Sequence, residues 1–165
     1  MNEFLILIPI FYFLIIFQQS FLVKFSIFGV IPNLVLILVF LLNFLVKTDR
    51  EKNLRMILSF IGGLLLDIHS GLLLGSWALN FLIIAILIDK FYQFFEKSNF
   101  LWFPILFCFC LYFSKIFLNF ISLKYSFNVN LFSFFIELLY SLFLFFIILF
   151  ALRITNIYKS KKSPI

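Results

Sequence analysis

Long apolar runs alternate with short polar breaks along the whole chain. The runs cover about residues 4–23, 28–46, 56–88, 100–123 and 131–152. Between them lie KTDREKNLR (Lys47–Arg55), DKFYQFFEKSN (Asp89–Asn99) and KYSFNVN (Lys124–Asn130), and the chain ends on a basic tail from Arg153. A helix needs about 20 apolar residues to cross a hydrocarbon core. Four of the runs are long enough for one crossing, and the third is long enough for two. The pattern predicts an all-α integral membrane protein of six transmembrane helices, a single domain over 1–165. The expected spans are about 4–23, 28–46, 55–70, 72–92, 100–123 and 131–152.

Charge placement supports the division of the third run. Lys and Arg accumulate on the cytoplasmic side of short loops. Lys47, Arg50, Lys52 and Arg55 mark the first break, Lys90 and Lys97 the second, and Arg153, Lys159, Lys161 and Lys162 the tail. The first two breaks flank the third run, so that run must cross an even number of times. Two crossings need roughly 40 helical residues, and Arg55 to Tyr92 supplies 38. A tight hairpin with its tip near Asp67–Gly71 fits, with both termini cytoplasmic. The N-terminal MNEFLILIPIFYF has neither a basic leader nor a small-residue cleavage site, and reads as a retained first span.

Composition agrees. Hydrophobic residues make up 65% of the chain and charged residues 12%, against about a quarter charged in soluble domains. The apolar excess must therefore form the outer surface. Phe accounts for 29 of the 165 residues and reads as hydrophobic filler. The net charge of +6 is spread over thin rims, which argues against nucleic acid and leaves anionic lipid headgroups as contacts for the tail. Cys108 and Cys110 stand two apart on a predicted helix, so they point in nearly opposite directions and neither bridge nor share a metal.

Candidate chemistry is sparse. Gly62–Asn80 reads GGLLLDIHSGLLLGSWALN. Asp67 is costly inside a membrane, by roughly 2.5–3.5 kcal/mol at mid-span on insertion scales. Gly63, Asp67, Gly71 and Gly75 recur every four residues and would form one drifting stripe on an unbroken helix, a seam for a close helix or partner. The competing reading is a hairpin turn bent at Ser70 and Gly71 and capped by Asp67. His69 is the single histidine, too few for a metal site. Lys115 and Glu137 sit at matching depth if the last two spans form an antiparallel hairpin, and are expected to form a structural ion pair. Pro32 suits a first helical turn, with Asn33 as a polar anchor. There is no nucleophile–base set, phosphate loop or paired carboxylates, so neither catalysis nor a cofactor is expected.

Two stretches resemble the bacterial rod shape-determining MreD family. One is Pro32-Asn33-Leu34-Val35-Leu36. The other runs Gly63-Leu64-Leu65-Leu66-Asp67-Ile68-His69-Ser70-Gly71, then Gly75 and Ala78-Leu79. Gln19-Ser20 near the end of span one is similar as well. Ile31 stands where the family often has Arg, Leu72-Leu73 where it often has Ser-Pro, and His69 where an aliphatic is usual. The resemblance implies a non-catalytic scaffold of the wall-elongation machinery in the bacterial inner membrane. It implies pairing with a single-span MreC-like protein and, through it, links to MreB, RodA and a class B penicillin-binding protein. It also implies a fold like that of the substrate-binding components of energy-coupling-factor vitamin transporters. A transporter subunit of that fold is the rival function. Such subunits couple through small residues every four positions in span one, and FLILIPIFYFLIIF has neither Ala nor Gly.

Overall fold

The structure, a computed structural model, describes residues 7–26, 28–45, 52–71, 73–95, 102–121 and 131–161. The polar connections that carry Lys47, Arg50, Lys97 and Lys124 lie outside the described residues, as does Lys162. The described residues form six α-helices: α1 (Leu7–Ser20), α2 (Leu34–Leu45), α3 (Lys52–Ser70), α4 (Ser76–Phe95), α5 (Trp102–Ile121) and α6 (Leu131–Lys161). A 3₁₀ turn, Leu22–Phe25, follows α1.

A helix that is apolar all round belongs in the middle of a bundle, and α2 is that helix. Leu34 to Leu41 are buried except for half-buried Leu38. Around α2 stand α1, α3, α4 and α6, and α5 joins through α4. The second apolar run starts at 28, yet α2 starts only at Leu34. Phe28 and Gly29 take left-handed backbone (φ 53° and 74°), and Pro32 disfavours helix at the residue before it. Pro32 therefore precedes the helix instead of forming its first turn. Asn33 is the cap: its Oδ1 accepts from Leu36 N–H at 3.0 Å. Gln18 on α1 accepts the Leu34 N–H at 3.0 Å, which also ties the two helices together.

The third helix is amphipathic in reverse. Arg55, Leu58, Ser59, Gly62, Gly63, Leu66 and Asp67 are buried, while Ile57 and Ile68 are exposed. These buried positions recur at three and four, one helical face. Polar and small residues share the buried face with Leu58 and Leu66, and Ile57 and Ile68 stand exposed, as expected where the solvent is lipid. At about 1.5 Å per residue, the 19 residues of α3 and 20 of α4 each extend about 28–30 Å.

Two helices are long and apolar enough to cross a membrane by length and composition, with windows Pro104–Ile121 in α5 and Phe132–Phe150 in α6. Only 22% and 11% of those windows are buried, so they are not the shielded core helices of a soluble protein. Leu7–Ser20 and Leu34–Phe44 are shorter apolar helices. Three fully buried rings fasten the last two helices to the centre. Phe107 stacks on Phe145 at 4.8 Å, and Phe40 meets them edge-on at 5.1 and 5.8 Å. Most other aromatic side chains of α5 and α6 point outward or are half-buried. Cys110 is buried and Cys108 half-buried, both as free thiols.

Candidate functional site: the α3–α4 hairpin hub

Asp67 sits in the last turn of α3 with 2% of its surface exposed. Its two oxygens accept four hydrogen bonds, all from the start of α4. Oδ1 takes Trp77 N–H and the Ser76 hydroxyl, both at 2.9 Å. Oδ2 takes Gly75 N–H at 3.0 Å and Ala78 N–H at 3.2 Å. The Leu79 N–H to Gly75 carbonyl bond, 2.9 Å, opens the helical ladder, which makes Gly75 the N-cap residue and Trp77 and Ala78 the second and third helical positions. Those are the two N–H groups that an N-cap side chain normally satisfies. Gly75 has no side chain to offer, and Asp67 supplies the cap from the neighbouring helix. The positive end of the α4 dipole faces the same carboxylate.

One turn earlier on α3, Gly63 faces the same first turn of α4. A Cβ built there would lie 2.4 Å from Ala78 Cα and 2.6 Å from Ala78 N and the Trp77 carbonyl oxygen. Gly63 therefore lets the two backbones touch, and Asp67 locks them together. At Gly62, on the adjacent face, the three atoms nearest to such a Cβ all belong to the Phe11 ring, at 2.9–3.1 Å.

The four-residue stripe does not continue through the turn. The helix ends at Ser70, whose hydroxyl reaches the Asp67 carbonyl oxygen at 3.3 Å. Gly71 and Gly75 then take positive φ, 65° and 97°, with open space where a Cβ would stand. These two glycines serve backbone conformation, not helix contact. Gly71→Ala and Gly71→Leu should therefore cost about the same, about 1 kcal/mol, and Gly71→Asn less. A loss that grows steeply with side-chain size, read from thermal midpoints of the purified variants, would restore the packing role.

His69 is held by neighbours on α1 and α3. Its Nδ1 lies 2.9 Å from the Leu65 carbonyl oxygen, its ring meets Tyr12 edge-on at 5.8 Å, and Gln19 donates to its backbone carbonyl at 3.2 Å. Among the described residues there is no group of three or more His, Cys, Asp or Glu that could hold a metal ion.

A second buried polar group lies toward the other end of the hairpin. Arg55, 7% exposed, donates from Nη1 to the Asn43 carbonyl oxygen at 2.9 Å. The Asn43 amide donates to the Ser59 hydroxyl at 2.8 Å, and that hydroxyl donates to the Arg55 carbonyl at 2.8 Å. Charge counting put Arg55 in a solvated break; the structure puts it inside the bundle, holding α2 to α3. Lys52 pairs with Asp89 across α3 and α4 nearby. Sequence reading missed this group, although Arg55, Ser59, Gly63 and Asp67 are spaced by four on one helix face.

Lys115 and Glu137 meet as an ion pair between α5 and α6. Glu137 is the more enclosed, its side chain 12% exposed against 42% for Lys115. Lys115→Glu or Glu137→Lys alone should lower the thermal midpoint, and the double exchange should recover most of the loss. A double variant no more stable than the single ones would show that the contact does not hold the helices. Above α2, Asn80 on α4 donates to Ser114 on α5 at 2.9 Å.

Helices that leave many large apolar side chains exposed and bury several polar ones, organised on a capped hairpin, make this an all-α protein of the membrane class. The family model of the rod shape-determining protein MreD matches residues 1–160, and the chain belongs to that family, a membrane family with a role in rod shape determination. No curated protein and no solved structure matches the chain.

Proposed function

We propose that the protein is a non-catalytic scaffold of the bacterial wall-elongation machinery, acting in cell shape and peptidoglycan synthesis by binding an MreC-like single-span partner. Through that partner it would connect MreB, RodA and a class B penicillin-binding protein. The observation that carries this reading is the family match over residues 1–160. The hub fits the role, because all four hydrogen bonds that Asp67 accepts hold one hairpin in shape. We propose that the stretch from Gly63 to Gly75, with Pro32 and Asn33 beside it, fixes the surface that the partner meets. The proposed placement is six crossings of the inner membrane with both termini cytoplasmic, in an arrangement like that of the energy-coupling-factor substrate-binding subunits.

Affinity purification of the full chain in mild detergent, with identification of what accompanies it, tests the proposal. Recovery of an MreC-like single-span protein is expected. Recovery of a transporter ATPase module or a vitamin-sized ligand in its place would overturn the scaffold reading in favour of a transport subunit.

A further inference from the structure

A cavity of about 490 Å³ opens where α1, α2, α4, α5 and α6 come together at the end of the bundle that holds the Gly71 turn. Its size is that of a small-ligand site. Leu36 and Leu111 are part of its lining, which also holds Gln18, Asn33, Ser114, Asn119 and Ser133, together with both members of the Lys115–Glu137 ion pair. Phe28 lines it too, and the contact of Phe28 with Phe132, 5.7 Å between ring centres, joins the α1–α2 connection to the first turn of α6 at its edge.

This lining selects for a particular kind of occupant. Ionisable residues within membrane helices face cavities or partners rather than lipid tails. Here a cation and an anion share one cavity, so it has no net charge to draw an anion or a cation alone. The pair is also not saturated. An ammonium has three donor hydrogens and a carboxylate has acceptor sites on both oxygens, and among the described residues the ion pair uses one contact, between Nζ and Oε2. What remains is a donor set on Lys115 and an acceptor set on Glu137, side by side. Their complement is a compact zwitterion with its anionic oxygens toward Lys115 and an N–H-bearing cation toward Glu137. Gln18 and Asn33 line the cavity as well, their side-chain oxygens already taken by the Leu34 and Leu36 N–H groups.

The cavity also stands at the level where helices end. Gln18 is two residues from the end of α1, Asn33 caps α2, and Lys115 and Glu137 each lie six residues from the nearby helix terminus, about 9 Å at 1.5 Å per residue. In a bilayer that puts the ion pair inside the spans Pro104–Ile121 and Phe132–Phe150, about 9 Å below the end at which the cavity opens. We propose that this cavity binds a phosphoethanolamine zwitterion, supplied either by the headgroup of phosphatidylethanolamine or as the free compound. Phosphocholine lacks N–H donors for Glu137, and phosphoglycerol lacks the cation, so both are poorer complements. Because residues of α1, α2, α4, α5 and α6 line the cavity, occupancy would also brace these helices against one another.

The test uses the full chain purified in detergent and delipidated, with thermal stability and native mass spectrometry as readouts. Phosphatidylethanolamine is expected to raise the midpoint and remain bound, at least tenfold more than phosphatidylcholine or phosphatidylglycerol of the same acyl chains. Millimolar O-phosphoethanolamine is the second arm. If it displaces the lipid, the headgroup is the bound part; if it binds where the lipid does not, the source is the free zwitterion. Leu118→Trp, which enlarges a residue of the cavity lining outside the ion pair, should reduce retention about tenfold while the unliganded midpoint stays near wild type. Glu137→Gln should erase the preference for ethanolamine over choline. Equal retention of the three lipids with no effect of O-phosphoethanolamine, or a Leu118→Trp variant that binds as wild type, would overturn the proposal. Partner recovery is read separately, so failure here leaves the scaffold question intact.

Discussion

Gly63→Ala is expected to destabilise the protein by about 2 kcal/mol, although it replaces a helical glycine by the best helix former. The two effects have opposite signs, which makes the experiment decisive. In an exposed helix interior the exchange would stabilise by about 1 kcal/mol. At position 63 the new methyl group would stand 2.4 Å from Ala78 Cα and 2.6 Å from two further backbone atoms of α4. Carbon atoms prefer about 3.5–4.0 Å, so the helices would have to part by about 1 Å. None of the three atoms is the end of a flexible side chain, and Asp67 ties that same backbone turn to α3. Overpacking costs typically 1–3 kcal/mol, and a clash of backbone with a fixed backbone belongs at the upper end. The steric term therefore wins. Gly62→Ala is the internal control: its methyl would meet the Phe11 ring at 2.9–3.1 Å, a side chain that can turn, so propensity and crowding should nearly cancel. Denaturation midpoints of the two variants, with rescue of rod shape in cells lacking the native protein, provide the measurement. A Gly63→Ala variant as stable as wild type would mean that α3 and α4 do not touch here.

The same helix shows what could and could not be read in advance. The four-residue spacing was legible, and it pointed to Gly63 and Asp67. Forward of Asp67 the spacing admits two readings, a seam through Gly71 and Gly75 or a hairpin turn bent at Ser70 and Gly71, and the backbone at both glycines is that of a turn. The buried face runs backward, through Ser59 to Arg55. Arg55 was hidden by its charge: counting basic residues assigns them to a solvated rim, and only the tertiary structure supplies the Asn43 carbonyl that makes burial tolerable. The matching depth of Lys115 and Glu137 could be seen because an antiparallel pair has simple register. The cavity that contains them could not, since five helices contribute to it from distant parts of the chain. Phe-rich runs carried no positional signal, so Phe40, Phe107 and Phe145 look like any of the other phenylalanines until their rings meet. The start of α2 is instructive in another way. Hydrophobicity extends to residue 28, but backbone chemistry at Pro32 decides where a helix can begin.

Asp67→Ala is expected to be the most damaging single exchange in the hairpin, costing about 4 kcal/mol. A buried donor left without its acceptor costs about 1–3 kcal/mol, and this exchange strands the N–H groups of Gly75, Trp77 and Ala78 and the Ser76 hydroxyl together. Partial entry of water at the helix end keeps the total below the sum of the separate penalties. Gly75 cannot take over as cap, because it has no side chain and its φ of 97° suits few residues that do. Asp67→Asn should cost roughly half as much: the amide keeps one carbonyl acceptor but turns an NH₂ toward two donors. The loss should also be local before it is global. Hydrogen exchange at Gly75, Trp77 and Ala78 should accelerate in Asp67→Asn under conditions where the middle of α4 stays protected. If exchange rises evenly along α4, Asp67 contributes only to general stability. If it rises at the first turn alone and shape rescue fails, the orientation of the turn is what the cell requires. Leu73 and Leu74, both exposed on that turn, are then the side chains whose position the buried carboxylate controls.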